Sequence, residues 1–370
     1  MPGQEAGATI APNTNNDKHP RFDVLDDDAD IASLSEWPLF QDALVWLNGH
    51  IGRPYAEADA AAMQYQTRHR RFGRTAIVAG TAAIVLAVVQ LALKLSWPDM
   101  VHATGLLEAA AVLAGLISVS LGLWSKYDHQ WLTYRHRAER LRMLKFQSLG
   151  WPELWAGDMH AWRAMVQSQL EQINNSHHFT DIEKWCHGGR VEDDPPALTH
   201  EVKPSLASAI ADYYLSKRVD YQADYFKNQS KRHERQVGIL RHFGLPLFFT
   251  SVICVLIHFG ADHQAGSLID AGESEAAEVW ERLAVWALAL AAALPVLGVG
   301  IRTWTTALEH ARSASLFAAK NRALLHEHKH IEQHKSDFNA IMHRIAHIEH
   351  FLENEHREWL RLLLDAEWFL

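Results

Sequence analysis

A single carboxylate lies inside an otherwise apolar stretch of helix length, and it is the first candidate for chemistry in this sequence. Glu108 begins a stripe of small and polar residues at three- and four-residue spacing, which places them on one helix face. The stripe consists of Glu108, Ala111, Gly115, Ser118 and Gly122. A carboxylate within a membrane span is a candidate for ion passage, whereas small residues permit close helix packing. Two interpretations stay open: the stripe lines a pore, or Glu108 reaches the lipid headgroups.

A second stripe of small residues contains a proline. Ala287, Ala291, Pro295, Gly298 and Arg302 follow the same helical spacing. Pro295 lacks a backbone donor and is expected to kink the helix, and we expect Arg302 at the inner membrane interface. Pro295, Gly298 and Arg302 are therefore candidates for a hinge or gate, with tight packing in a helix bundle as the open alternative.

Histidines form a row near the C-terminus. His326, His330 and His334 are four residues apart and share one helix face, and His343 and His347 repeat the spacing. Such a pair can bind zinc, and such a row can titrate together below neutral pH. A solvated face or a protein interface is the interpretation that we favour, so these residues are weak metal candidates and no metal is predicted.

The motifs of soluble enzymes are missing from the sequence. We find no GxGxxG, GxxxxGK[ST], GxSxG or HExxH pattern, which would place phosphates, a nucleophile or a metal. The two cysteines, Cys186 and Cys254, fall in different predicted compartments, which excludes a disulfide framework. The sequence predicts a protein that is not an enzyme and that uses no cofactor.

Four apolar stretches must position these residues. They cover residues 75–95, 105–124, 243–260 and 283–301. Each is close to the roughly 20 residues that a helix needs to cross a bilayer. The predicted fold is all-α and integral to a membrane, with two transmembrane hairpins and long cytoplasmic helices.

The distribution of basic residues predicts the orientation. Lys and Arg are frequent before the first and third stretches and after the second and fourth, whereas residues 261–281 contain none and hold six acids. The positive-inside rule then places both termini and residues 125–241 in the cytoplasm.

The chain divides into four predicted parts. These are a disordered tail at 1–33, a first hairpin with its cytoplasmic helices at 34–174, a linker at 175–204 and a second hairpin with a long C-terminal helix at 205–370. Further helices are predicted at 34–47, 57–74, 125–149 and 158–174, the last with Asp158 as N-cap.

The C-terminal helix has a seven-residue apolar repeat. Its members are Leu324, Ile331, Phe338, Ile345, Leu352 and Trp359, with Ile341 and Ile348 at intermediate positions. This repeat is typical of a coiled coil. Packing within the chain and packing between subunits both stay open.

Two segments resemble a known family. Residues 131–142 (WLTYRHRAERLR) resemble the W-x-x-Y-R-x-x-A-E-x-L-R signature of the SLATT family, the two-transmembrane effector domains associated with SMODS nucleotidyltransferases and SLOG nucleotide-sensing domains. Residues 348–359 resemble the E-x-x-L-x-x-E-x-x-x-W ending of related proteins. The tandem four-helix form is similar to the membrane part of bacterial SLOG/TRPM-like proteins.

The resemblance implies a bacterial inner-membrane effector of antiphage defence that forms an oligomeric channel or permeabilises the membrane. Because no Rossmann-type motif is present, the signal is expected from a nucleotide-sensing partner protein or from a ligand site in the cytoplasmic helices. Partners are then membrane lipids and further copies of the chain, not nucleic acid. Spacing on one helix predicts ion pairs among Arg135, Glu139 and Arg142, which with Tyr134 would couple the hairpin base to that signal. A non-conducting scaffold that recruits a soluble effector is the alternative.

Overall fold

The computed structural model describes residues 23–176, 178–188, 202–307 and 310–364, and these residues form helices and no strand. The helices are α1 Asp28–Ala32, α2 Pro38–Ser96, α3 Val101–Ser125, α4 Tyr127–Leu149, α5 Pro152–Trp155, α6 Met159–Asn175, α7 Phe179–His187, α8 Pro204–Tyr214, α9 Tyr221–Asp270, α10 Ser274–Ala307, α11 His310–Gln333 and α12 Phe338–Leu364. A π-helical turn, Leu215–Asp220, joins α8 to α9. The predicted all-α fold is confirmed.

Helix α2 is one unbroken helix of 59 residues. The sequence predicted two helices, at 34–47 and 57–74, ahead of the first span. Pro54 lies inside α2, where it removes a backbone hydrogen bond. Ile51 and Tyr55 beside it are fully buried. Their packing outweighs the cost of the proline, so one helix replaces the predicted pair.

The helix that leaves the second span is interrupted at Lys126. The sequence predicted a helix that continues from the span through residues 125–149. Lys126 has a φ of 46°, in the left-handed region that residues with a Cβ atom rarely adopt. The span and α4 are therefore two separate helices.

Four helices are long and apolar enough to cross a membrane. These candidate spans lie in Pro38–Ser96, Pro98–Ser125, His242–Asp270 and Ser274–Trp304, and are called spans 1 to 4 below. Large apolar side chains on their outer faces are exposed, among them Leu106, Leu116, Phe248, Leu256 and Val299. Extended apolar surfaces of this kind suit lipid rather than water. The predicted integral membrane fold with four spans is confirmed.

The spans pack as an open row rather than as a closed bundle. Span 1 packs against spans 2 and 4, and span 4 packs against spans 1 and 3. In the described part of the chain, spans 2 and 3 make at most marginal contact with each other. The order across the row is therefore 2, 1, 4, 3, with spans 2 and 3 at its outer ends.

The small residues of span 2 face span 1. A Cβ atom added to Gly115 would lie 3.7 Å from the Cβ atom of Ala79. Ser118 and Gly122 are also buried, and they lie on the same helix face as Gly115 because they continue the stripe. Within one chain this stripe therefore serves helix packing, and the pore-lining role stays a prediction.

Span 4 has two contact faces. On one face, the Ser251 hydroxyl of span 3 donates to the carbonyl oxygen of Ala291 at 2.8 Å. On the other face Gly300 lies against Thr81 of span 1, where an added Cβ atom would lie 2.5 Å from the threonine Oγ1. Span 4 thus joins the two hairpins.

The described residues on the side of the spans where α4, α6, α8 and α12 lie form one main core and a smaller second apolar cluster, and are called the extramembrane domain. Its buried apolar side chains include Phe40, Leu144, Trp162, Ile210 and Ile345. They come from α2, α4, α6, α8 and α12, on both sides of each hairpin in the sequence. Both hairpins therefore begin and end at this domain, and their connecting loops lie at the opposite ends of the spans.

The sequence predicts disorder over residues 1–33, and this is wrong for residues 23–33. Asp23 and Val24 are buried. Asp27 caps α1 by accepting from the backbone N–H of Asp30 at 2.8 Å. These polar residues have partners in the folded chain, which composition could not reveal. Residues 1–22 lie outside the described residues.

The segment predicted as a linker, residues 175–204, contains the helix Phe179–His187, so the linker prediction is wrong for these residues. Ile182 and Cys186 are buried against Trp131 and Leu360. This small apolar contact orders a segment whose surroundings look like a linker. Residues 177 and 189–201 lie outside the described residues.

The predicted N-cap of α6 is confirmed, because Asp158 accepts from the backbone N–H of Ala161 at 2.9 Å.

The C-terminal segment forms two helices, α11 and α12, where the sequence predicted one. Asp337 accepts from the backbone N–H of Ala340 at 3.1 Å and so caps α12. The apolar repeat continues across the break and is buried at Leu324, Ile331 and Ile345. These residues belong to the core of the extramembrane domain, which is the packing within the chain that was left open.

The contact at Gly300 predicts a position-specific effect. We expect Gly300→Ala to lower the free energy of unfolding by about 1–3 kcal/mol relative to Gly298→Ala, because the new methyl group overlaps Thr81. Nothing lies within 4 Å of an added Cβ atom at Gly298, so that variant is the matched control. Thermal unfolding in detergent measures the difference, and Thr81→Ala added to Gly300→Ala is expected to recover part of it. Equal stability of the two single variants would contradict this packing.

Candidate coupling site below the membrane spans

A group of buried and half-buried charged side chains lies in the extramembrane domain, and we call it the charge cluster. Its members come from distant parts of the chain. They are Asp23, Asp26, Asp30, Asp59, Arg135, Glu139, Arg142, Lys145, Lys217, Arg218 and Glu349. Buried charges are costly unless they are paired, so the pairing of this cluster constrains the fold.

Arg142 of α4 is one centre of the cluster. Its Nε lies 2.6 Å from Oδ2 of Asp23, and its Nη1 donates to Glu139 at 2.7 Å. A further donor of Arg142 bonds to the Tyr55 hydroxyl of α2. Glu139 in turn pairs with Arg135 at 2.5 Å. The ion pairs predicted among Arg135, Glu139 and Arg142 are therefore present.

Asp26 is a second centre and joins the two halves of the chain. Lys145 of α4 donates to its Oδ2 at 2.8 Å. Lys145 also donates to the carbonyl oxygen of Val24 at 2.8 Å. From the second half of the chain, the Tyr213 hydroxyl donates to Asp26 Oδ1 at 2.9 Å, and Lys217 pairs with Asp30. The N-terminal segment is thus held between α4 and the end of α8.

The pair of Arg218 and Glu349 is almost completely buried. Two nitrogens of the Arg218 guanidinium donate to the two carboxylate oxygens, each at 2.7 Å. The Tyr214 hydroxyl donates to the same carboxylate at 2.8 Å. Arg218 lies in the π-helical turn, and such turns are frequent at functional sites. This bidentate pair fastens α12 to the helix that leads into span 3.

The cluster holds Glu139 and Arg142 in their charged forms. Burial alone would raise the pKa of Glu139, but Arg135 and Arg142 outweigh burial and lower that pKa from its ordinary value. Burial opposes the charge of Arg142, yet Asp23 and Glu139 raise its pKa well above the ordinary value. Groups that stay charged in this way are suited to fixing helices in place.

Two histidines form a buried pair beside the cluster. Nδ1 of His136 in α4 lies 3.2 Å from Nε2 of His356 in α12. Burial lowers the pKa of His356 to about 4. Burial and the neighbouring His356 lower the pKa of His136 well below its ordinary value. Both rings are therefore neutral near pH 7, with one nitrogen donating to the other.

The remaining predicted site residues lie apart from the cluster. Tyr134 stacks on Tyr65 with ring centroids 5.5 Å apart, at the base of the first hairpin. Glu108 and Ala111 are half-buried in span 2. Pro295 is exposed within the unbroken helix α10, so the sequence-predicted hinge does not interrupt the helix.

The histidine row on α11 does not form a metal site in the described residues, where no group of three or more His, Cys, Asp or Glu side chains is placed to hold a metal ion. His326 and His330 have ring centroids 4.6 Å apart. Nδ1 of His334 is bonded within its own helix, to the carbonyl oxygen of His330 at 3.0 Å.

Sequence reasoning missed most of the cluster. Asp23 and Asp26 lie in the predicted tail, and Lys217, Arg218 and Glu349 were not among the predicted site residues. A signal was present at Lys145, which together with Arg142 lies among the apolar residues Leu141, Met143, Leu144 and Phe146. A basic residue among so many apolar neighbours indicates a buried charge that needs a partner.

The fold and the cluster together define an integral membrane protein in which two hairpins are attached to one helical domain by buried ion pairs. Residues 55–148 match the model of a family described as "Protein of unknown function (DUF4231)". The match covers the first hairpin and the half of the charge cluster carried by α2 and α4. No curated protein and no solved structure matches the chain.

The pair of Arg218 and Glu349 predicts a large effect on stability. We expect Glu349→Gln to lower the free energy of unfolding by about 3–5 kcal/mol, because Arg218 is left as an unpaired buried charge. The double variant Arg218→Met and Glu349→Leu is expected to recover most of the loss. Glu57→Gln, in an exposed pair with Arg53, is the control and should cause no measurable change. Denaturant unfolding decides, and an unchanged midpoint for Glu349→Gln would contradict the assigned role.

The histidine pair predicts a loss of stability in mild acid. His356 has an ordinary pKa of 6.5 and a folded pKa of about 4. Between these values the unfolded chain binds a proton that the folded chain does not, so stability decreases as the pH falls through this window. We expect a loss of about 3 kcal/mol from His356. Glu139 has a lowered pKa, so its contribution is lost only below its ordinary value of 4.5.

Unfolding measured at several pH values between 7 and about 4.5 tests this dependence. We expect His356→Gln to flatten the profile in that window. His160, which is exposed on α6, supplies the control His160→Gln, which should leave the profile as it is. A His356→Gln profile as steep as that of the unaltered protein would show that the pair is not responsible.

Proposed function

We propose that the protein is a bacterial membrane effector in which the extramembrane domain controls an ion-conducting assembly of the hairpins. The observation that carries the proposal is the continuity of α2 and α9. Each runs as a single helix from the buried core of the domain into a span. A displacement of either helix within the domain is transmitted directly to spans 1 and 3, since a continuous helix moves largely as one body.

The charge cluster is placed to control that displacement. Tyr55 and Asp59 of α2 contact Arg142 and Arg135 of α4. Arg218, just before α9, pairs with Glu349 of α12. Both helices that enter the membrane are therefore fixed by the same set of ions, and a ligand or partner that rearranges this set would move both hairpins.

The open row of spans supports assembly of several copies. Spans 2 and 3 end the row, and their outer faces are apolar and uncovered. In a single chain these faces are in contact with lipid, and in an oligomer they would be covered by further copies of the chain. The polar side chains Ser251 and His258 are hydrogen-bonded inside the row and are not available to line a path within one chain. The conducting path would therefore lie between copies.

The basic residues near the domain ends of the spans support an orientation with the extramembrane domain in the cytoplasm. The resemblance of residues 131–142 to the SLATT signature supports a role in antiphage defence, with a nucleotide-sensing partner as the source of the signal. The bacterial inner membrane is the location consistent with both.

The second candidate function is a non-conducting scaffold that recruits a soluble effector. It is favoured by the apolar character of the exposed faces of the spans, where a conducting path would be lined by polar groups. Both functions use the same coupling between domain and hairpins.

Ion flux through liposomes separates the two functions. We expect the full chain to carry cations across the bilayer and Glu108→Gln to lower the flux severalfold, because a carboxylate near the mouth of a path attracts cations. Glu281→Gln, an exposed acid at the start of span 4, is the matched control. Size-exclusion chromatography checks that assembly is retained. Absence of flux from every preparation, including one supplied with an extract of phage-infected cells, would favour the scaffold.

A further inference from the structure

A cavity lies on the side of α4 that faces α6 and α12. Its volume is about 300 Å³, at the lower end of the range found for small-molecule sites. Residues from both halves of the chain line it, among them Arg140, Gln147, Gln169, Trp185, Glu353 and Arg357. Polar side chains are therefore concentrated in a partly open cavity outside the charge cluster.

The cavity holds donors that lack acceptors. Arg140 is half-buried and makes no ion pair or hydrogen bond with any residue that the structure describes. The Gln169 amide, on α6, likewise makes no hydrogen bond with any residue that the structure describes. Nε of Arg357 is buried and also has no acceptor in the described ranges. A buried donor without an acceptor is costly, and together with the half-buried donors of Arg140 and Gln169 it suits the cavity to a ligand that accepts hydrogen bonds.

The other contacts of Arg357 fix its position. Its guanidinium lies 4.0 Å from the centroid of the Trp185 ring. It donates to Glu353 at 2.8 Å and to the backbone carbonyls of Trp185 and Gly188. Glu353 also accepts from Gln147 at 3.1 Å. Arg357 is thus held rigidly, and Arg140 remains as the cation whose donors are available.

The charge of the cavity favours an anion. Two arginines and one carboxylate, Glu353, line it. Glu353 is paired with Arg357 and also attracts Arg140 electrostatically, so the lining keeps a net positive charge. A guanidinium presents parallel donors that match the two oxygens of a carboxylate or phosphate. The amides of Gln147 and Gln169 are suited to polar groups elsewhere on the same ligand.

We propose that this cavity binds a small organic oxyanion, a phosphate or carboxylate on a polar body, with Arg140 as its principal cation. The ligand would touch α4 from the first half of the chain and α12 from the second half. Glu139, the neighbour of Arg140 in sequence, belongs to the charge cluster. A ligand bound to Arg140 would therefore lie next to the ions that fix α2. The site does not depend on the proposed conductance.

Binding to the full chain in phosphatidylcholine nanodiscs tests the proposal. The probes are glucose 6-phosphate, glucuronate and glucose, which share a sugar body and differ in the charged group. We expect at least one anion to bind with a dissociation constant below about 1 mM and glucose not to bind in calorimetry. The stronger of the two anions identifies the preferred group.

Variants locate the site. Arg140→Gln is expected to weaken binding by roughly tenfold or more, because it removes a charge-assisted hydrogen bond. Arg163→Gln makes the same change at an exposed position on α6 and should leave binding unchanged. Gln169→Ala, on the facing helix, is expected to weaken binding severalfold. Cooperative thermal unfolding checks that each variant is folded.

Two results would overturn the proposal. One is that neither anion binds more tightly than glucose. The other is that folded Arg140→Gln and Gln169→Ala bind the anions as the unaltered protein does. Because the readout is binding rather than ion flux, a failure here is distinguishable from a failure of the proposed function.

Discussion

The pairing of buried charges across the two halves of the chain is the constraint on which the extramembrane domain depends. Arg218 and Glu349 are both almost completely buried, and the two partners are far apart in the sequence. An isolated ion in such a site costs several kcal/mol. The helix before span 3 and α12 must therefore come together. Asp26 brings α4 and α8 together in the same way, by accepting from Lys145 and Tyr213.

This constraint reaches the membrane because the helices that carry it do not end at the membrane surface. Helix α2 contributes Tyr55 and Asp59 to the cluster and then continues as span 1. Span 1 contacts span 4 at Gly300, and span 4 contacts span 3 at Ser251. The ions of the domain and the small residues of the spans thus act on the same four helices. Helix α4 has a face on the cluster and another on the cavity at Arg140.

Much of the fold could be predicted from the sequence because each membrane span is a local property. A run of about 20 apolar residues has few alternatives to a membrane helix, and residues 75–95 and 283–301 needed no partner to be recognised. The same is true of the Asp158 cap and of the i, i+4 pair of Arg135 and Glu139. Helix boundaries outside the spans were less predictable, since packing at Tyr55 carried α2 through Pro54.

By itself the sequence determined that this chain is helical, that four segments suit a membrane and that Arg135, Glu139 and Arg142 lie within reach of one another. Only the tertiary structure decided that the spans form an open row and that Asp23 and Asp26 are buried in the core. The physical reason is that burial of a charge depends on a partner far away in the chain. Apolar periodicity reports which face of a helix is covered, and it does not report what covers it.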